Sequence, residues 1–242
     1  MMERSTLQRS VPAIAIALLF AATLFLAFME VEFGEPRPDQ EGSVAGRYIE
    51  EGNNDTGSAN LVTSVVVNYR GFDTLGEVTV LFLASTGVGA LVSVIALDGN
   101  GSKQRKGLRP SFILSRGSRL VLPLIILFGV YVFLHGHLSP GGGFQGGVVI
   151  ASGLLLFYMA NTERKSGHKV LSVVESVSGL AFIGLGIVGL AAAGIFLDSY
   201  GVVESNVGLL VSAGLLPLIY IAIGLKVGSE MTGLAERLRG DA

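Results

Sequence analysis

Apolar residues fall in long runs along this chain, separated by short polar breaks. A membrane-crossing helix needs about 20 largely apolar residues, and the first run, Val11 to Met29, has that length. It follows Arg4 and Arg9, as a signal peptide would, but its apolar core is long and no small-x-small cleavage site follows. It is expected to be a retained span. The next apolar stretch, 61–97, is interrupted by NYRGFDTLGE. It is too long for one straight span and too charged for a plain one, so the pattern predicts a short helix at 61–69 and a span at roughly 74–97. Further apolar runs occupy 120–135, 145–160, 171–196 and 207–227. The expected fold is all-α and polytopic, with about six transmembrane helices; the runs are not the weak alternation of a β-barrel.

The polar breaks suggest the organisation. Residues 30–60 are acidic and punctuated by Gly, Pro and Asn, the pattern of an extramembrane loop. Residues 98–119 are basic and form the best internal boundary. The expected division is 1–99 with two spans and the acidic outer loop, 100–117 as a basic cytoplasmic linker, and 118–242 with four spans. With the N-terminus inside, every basic residue except Arg37, Arg47 and Arg70 falls on the inner side, as the positive-inside rule requires. Both termini are therefore expected to be cytoplasmic. On this reading Lys226 lies near the inner end of the last span and snorkels to the aqueous surface, and His168 is solvated in a basic loop.

Composition narrows the chemistry. Of the 242 residues 50% are hydrophobic and 15% charged, with a mean hydropathy of +0.62; a soluble domain carries about 25% charged residues. The absence of Cys removes disulfides, thiolate metal sites and Cys-ligated iron–sulfur clusters. Three His argue against a protein-built transition-metal site. No cofactor is expected, and Na⁺ would bind only in passage. The 34 Gly show no G-X-Y period and suit helices packed closely in lipid.

Two motifs carry candidate chemistry. In NYRGFDTLGEVT, Arg70, Asp73 and Glu77 have spacings that let them share one helical stripe, with Thr74 beside them. An ionised group at membrane depth costs several kcal/mol and faces protein or water. A buried carboxylate beside a cation changes protonation as that cation comes and goes, which is the chemistry of coupled H⁺ and Na⁺ movement. The alternative is that Arg70 and Asp73 pair structurally; Glu77, deeper, is the stronger ion-path candidate. In HGHLSPGGGFQGG, Pro140 and Gly141, Gly142 and Gly143 break the helix, and Gly146 and Gly147 follow. This reads as a tight re-entrant turn that lets helices approach, with Gln145, His135 and His137 able to bond the freed backbone. His135 and His137 are also candidates for proton movement. Glu175, inside the next span, either snorkels or lines an ion path.

The residues GHLSPGGGFQGGVVIASGLLL, VVESVSGLAFIGLGIVGL and SAGLLPLIYIAIGLKVG resemble the B-type subunit (MnhB) of the multisubunit Mrp (Mnh) Na⁺/H⁺ antiporter over about 112–235. VVVNYRGFDTLGEVTVLFLASTGVGAL resembles the C-terminal tail of the large A-type antiporter subunit, and the E-type subunit of archaeal membrane-bound hydrogenases; residues 1–30 fit the helix before it. The resemblance implies a fusion of those two neighbours, in which Asp73 and Glu77 match acidic residues of the A-type tail implicated in ion movement. It implies a transport subunit of the plasma membrane, not an enzyme, that works with other antiporter-module subunits and handles Na⁺ and H⁺ without nucleic acid. The host is either an antiporter or a membrane-bound hydrogenase or related respiratory complex with hydrogenase-like or ferredoxin-linked peripheral subunits. A purely structural assembly role is the third reading. The 30–60 insertion is longer and more acidic than the family pattern.

Overall fold

The structure is a computed structural model that describes residues 2–30, 43–97, 111–161, 167–198 and 213–239. Every regular element among them is helical. Residues 1–46 and 47–242 form two compact units.

In the first unit, α1 (Met2–Glu30) carries the first apolar run. At about 1.5 Å per residue its length suffices to cross a bilayer.

The second unit begins within α2 (Val44–Thr56). The expected outer loop is therefore partly helical, while its residues 31–42 lie outside the described set. A short helix, α3 (Leu61–Thr63), is capped by Asn60, whose Oδ1 accepts from Val62 N. It widens into a π-helical turn, Ser64–Tyr69. The Thr74 hydroxyl donates to Val66 O at 2.7 Å, supplying that widened turn with a side-chain donor. Then come α4 (Gly71–Leu97), α5 (Phe112–Leu134), α6 (Gly143–Ala160), α7 (His168–Ala193) and α8 (Leu216–Arg239). These five helices are long and apolar enough to cross a membrane. Helix α5 starts at Phe112, so the last residues assigned to the linker are helical. The last span begins later than the 207–227 run and continues well beyond it, drawing Glu230, Glu236 and Arg237 into α8.

Helix α8 is the hub, packed by α4, α5, α6 and α7. Its membrane-length window is 61% buried, against 11–33% in the other four. It is also the helix that carries Lys226, Glu230 and Glu236, all buried. That polarity-inside arrangement is what a lipid surround demands. Ile219, Ile223 and Val227 on α8, Phe182 on α7 and Val78 on α4 make the apolar core between these groups.

Glycine sets how closely the helices approach. A Cβ on Gly143 of α6 would lie 2.6 Å from Ile223 Cβ and 2.9 Å from Tyr220 O on α8. One turn on, a Cβ on Gly147 would lie 2.8 Å from Gly224 O and 3.0 Å from Gly228 N. Gly146 makes the equivalent contact with α5, where its Cβ would meet Gly129 O at 2.6 Å. Such backbone-to-backbone contact is how membrane helices gain packing energy without a hydrophobic drive between them.

The two ends of the bundle differ in charge. At one end Arg119 Nε and Nη2 donate to Asn161 Oδ1 at 3.1 and 2.9 Å, joining α5 to α6. Arg237 Nη1 donates to Ser85 O at 3.3 Å, joining α8 to α4. Arg116 and Lys169 stand on the same side, near the starts of their helices. The other end gathers the acidic α2, the π-turn and the glycine-rich turn between α5 and α6.

That second end is held by one polar clamp. Asn60 Nδ2 donates to Gly136 O at 2.8 Å and Ser139 O at 3.0 Å. Ser58 Oγ and Asn60 N both donate to His137 O, at 2.8 and 3.0 Å. Thr63 Oγ1 donates to Gly136 O at 2.7 Å and accepts from Tyr220 OH at 2.7 Å.

Replacing Gly143 by Leu forces a side chain into α8 and is expected to cost more than the roughly 1–3 kcal/mol of an ordinary overpacked core. The amount of folded chain recovered from membranes should fall sharply, as read by detergent extraction and size-exclusion chromatography, whereas Gly117→Leu, with nothing within 4 Å of its Cβ, should be recovered normally. Asn60→Ala removes a helix cap worth about 1 kcal/mol and leaves buried acceptors short of a donor, about 1–3 kcal/mol more. A lowered thermal midpoint in detergent is the expected outcome.

Candidate functional site

Among the described residues of the membrane helices, two sets of charged groups stand apart from the basic end of the bundle, one on the surface and one inside. The surface set begins at Arg70, the residue that ends the π-turn with φ −118° and ψ 36°. Its guanidinium pairs with the Asp73 carboxylate, and both side chains are more than half exposed. Asp73 lies in the first turn of α4, where the helix N-terminus favours a negative charge. Glu77, one turn on, is exposed and makes no ion pair with a described residue. Thr74 faces the opposite way: it is buried and bonded to Val66 O. Arg70, Asp73 and Glu77 thus stand on the outer side of α4, with Thr74 excluded from the stripe.

Nearby, Tyr69 OH donates to Asp55 at 2.7 Å and the Tyr69 ring stacks on Tyr48 at 4.7 Å. Burial, with the Asp55 carboxylate behind it, raises the Tyr69 phenol above its ordinary value. This hydroxyl stays protonated and serves as a fixed donor that ties α2 to the π-turn.

The glycine-rich turn places its residues differently from one another. His137 is fully buried. The His135 ring stacks on Tyr131 at 4.2 Å, with Nδ1 3.1 Å from Tyr131 O. Gly142, Gly143, Gly146 and Gly147 are buried, Gly141 is half-buried, and Pro140 and Gln145 are exposed. The turn joins two helices of 23 and 18 residues.

The interior set centres on Lys226. Its side chain is 8% exposed, so the expected snorkelling to the surface does not occur. The reason is geometric: the span runs from Leu216 to Leu238, which puts Lys226 near its middle. Lys226 Nζ donates to Glu230 Oε2 at 2.8 Å, one turn along α8, and to Glu175 Oε1 at 3.3 Å on α7. On a third side, Nζ lies 4.9 Å from the centre of the Phe82 ring on α4, a cation–π contact. The Glu230 side chain is 0% exposed and that of Glu175 23%. Glu175 is therefore turned into the bundle. Gly179, one turn beyond it, leaves space for the Lys226 stem, since a Cβ there would sit 3.6 Å from Cε.

The apolar run ends at 227, and so hides Glu230 as a site residue. The Lys226–Glu230 spacing of four is the signal that could have found it. Glu236 is hidden for the same reason.

The chain matches the family profile described as a domain related to the MnhB subunit of Na⁺/H⁺ antiporters over residues 113–233, and that of MbhE, the E-type subunit of MBH, over 9–96. A chain of the membrane-bound sulfane sulfur reductase, an archaeal respiratory membrane complex, superposes with a TM-score of 0.69 at 39% identity, covering 98% of both chains. A chain of the Mrp complex from Dietzia sp. DQ12-45-1b gives a TM-score of 0.63 at 23% identity, over 97% of this chain and 26% of that one. The probable A/B-type subunit of a K⁺/H⁺ antiporter from Rhizobium meliloti is 29% identical over 142 residues, 50% of this chain but 14% of its own length. With half of its length in the MnhB-related domain and an MbhE segment before it, this chain belongs to the MnhB-related family of antiporter subunits.

Proposed function

We propose that this chain is a plasma-membrane subunit of an Mrp-type cation/proton antiporter module, and that cations pass along the outer side of α4, between this protein and a neighbouring subunit. The observation that carries the reading is Glu77. It lies seven residues into a membrane-length helix, exposed and without an ion pair to a described residue. A carboxylate there is tolerated only against water or a polar partner, so the face it occupies belongs to a hydrated path or a contact between subunits. Asp73, held by Arg70 one turn nearer the end, forms the entry to that path. The turn at 135–147 serves packing, through Gly143, Gly146 and Gly147, and His135 stands beside it as a secondary proton candidate. The role is transport; redox chemistry belongs to other subunits.

A second reading concerns the host. The full-length likeness to a chain of the sulfane sulfur reductase complex, together with the MbhE segment, favours the same module within a redox-driven respiratory complex. Hydrogenase-like or ferredoxin-linked peripheral subunits would then be partners.

Glu77→Gln keeps size and hydrogen bonding while removing charge and titration. In vesicles holding equal amounts of assembled complex it should depress Na⁺-dependent proton flux on the order of tenfold or more, with Glu77→Asp retaining part of it. Wild-type flux from the Gln variant would remove Glu77 from the path. The charge asymmetry of the bundle favours a cytoplasmic position for the Arg119 and Arg237 end. A cysteine substituted for Asn54 should react with an impermeant thiol reagent added outside intact cells, and one substituted for Lys169 should not; the reverse pattern would invert the topology.

A further inference from the structure

We infer that Lys226, Glu230 and Glu175 form an internal proton-binding site within the bundle, separate from the outer path along α4, in which one proton resides on the carboxylate pair. The inference rests on the reading of the chain as part of a proton-coupled module, and its spectroscopic test stands apart from that reading.

The charges do not balance as they stand. One ammonium faces two carboxylates, and all three side chains are largely or wholly withdrawn from solvent. The residual negative charge lies inside the bundle, within two membrane-length helices, where an uncompensated charge costs several kcal/mol. Helix α7 contributes Glu175 and α4 the uncharged ring of Phe82. Farther along α8 stands one further charge of each sign, the buried Glu236 and Arg237, whose guanidinium donates to the Ser85 carbonyl and also acts on Glu230.

A second observation points to where the missing positive charge goes. Glu230 Oε2 accepts from Lys226, but Glu230 Oε1 is buried with no hydrogen-bond partner. A buried oxygen left without a donor costs an ionised carboxylate more than a neutral carboxyl. Protonation of Glu230 leaves a neutral carboxyl there and a compensated Lys226–Glu175 ion pair.

The same arrangement transfers the proton. Lys226 Nζ is already within reach of both carboxylates, at 2.8 and 3.3 Å. When the O–H bond at Glu230 breaks and its proton passes to a water admitted to the site, the ammonium, already nearer Glu230 than Glu175, compensates the new charge in place. Glu175, the member with partial exposure, is then free to take a proton from water and form its own O–H bond. Lys226 acts as the counter-charge that keeps one carboxylate paired at each stage.

The test uses the whole complex in vesicles and in detergent. Infrared difference spectra should contain a slowly exchanging protonated-carboxyl band that Glu230→Asp shifts and Glu230→Gln removes. Glu230→Gln, which imitates the protonated form, should assemble normally and lower proton flux on the order of a hundredfold. Lys226→Arg should retain more flux than Lys226→Gln. Absence of the band from the unsubstituted complex, or its persistence unchanged in Glu230→Asp, overturns the proposal even if the Gln variant fails to assemble. So does wild-type flux in an assembled Glu230→Gln complex. Because the band reports protonation directly, it is unaffected if Glu77→Gln shows that the outer path is misassigned.

Discussion

The backbone carbonyls of Gly136, His137 and Ser139 leave the helical ladder where α5 turns back into α6, and in a membrane protein such groups must find donors within the protein. Ser58, Asn60 and Thr63 supply them. Asn60 uses three side-chain bonding directions there, two as donor and one as the cap of α3. Thr63 then passes the connection to Tyr220 on α8. The glycine contacts between α5, α6 and α8 depend on this turn staying closed, because the same turn fixes the separation of α5 and α6 at their shared end. With those helices set, α8 is enclosed, and the polar side chains of α8 have an interior to occupy.

Lipid inverts the logic of a soluble core. Ile187, Leu180, Leu124 and Leu83 are exposed on the outside of the bundle, while Lys226, Glu230 and Thr232 are inside. Helix α8 is accordingly the least apolar of the five membrane-length helices and the most buried. Removing one member of a buried ion pair costs about 3–5 kcal/mol, since the other charge is left without compensation. The interior trio therefore contributes to holding α7 against α8 whatever else it does. The exposed Arg70–Asp73 pair has no such effect on stability, since solvent-facing pairs contribute about 0–1 kcal/mol.

The membrane-length helices are legible from apolar runs alone, because a span has to be long and apolar whatever it packs against. The glycine-rich motif is legible as a packing element for a related reason: only Gly permits the contacts seen at Gly143 and Gly147. What the sequence hides is the direction of individual side chains. Thr74 looks like a neighbour of Asp73 and Glu77, but the widened π-turn needs its hydroxyl at Val66 O and turns it inward. Lys226 looks terminal because polar residues after 227 suggest the end of the span. In fact Ser229, Glu230 and Thr232 are polar because α8 is central, and Ser229 and Thr232 direct their hydroxyls to carbonyls of their own helix. The helix within 44–56 is hidden by its Gly, Asn and acidic residues, which read locally as loop.

The clamp at the glycine-rich turn also bears on why these two segments share one polypeptide. Its donors come from the stretch matched by the MbhE profile and its acceptors from the stretch matched by the MnhB profile. Separate chains would have to meet by diffusion, and each encounter would lose translational freedom to form these few hydrogen bonds. A covalent link makes the encounter intramolecular and removes that cost. The stoichiometry of the two segments is then one to one by synthesis, and neither can be lost or exchanged while the other remains in the membrane.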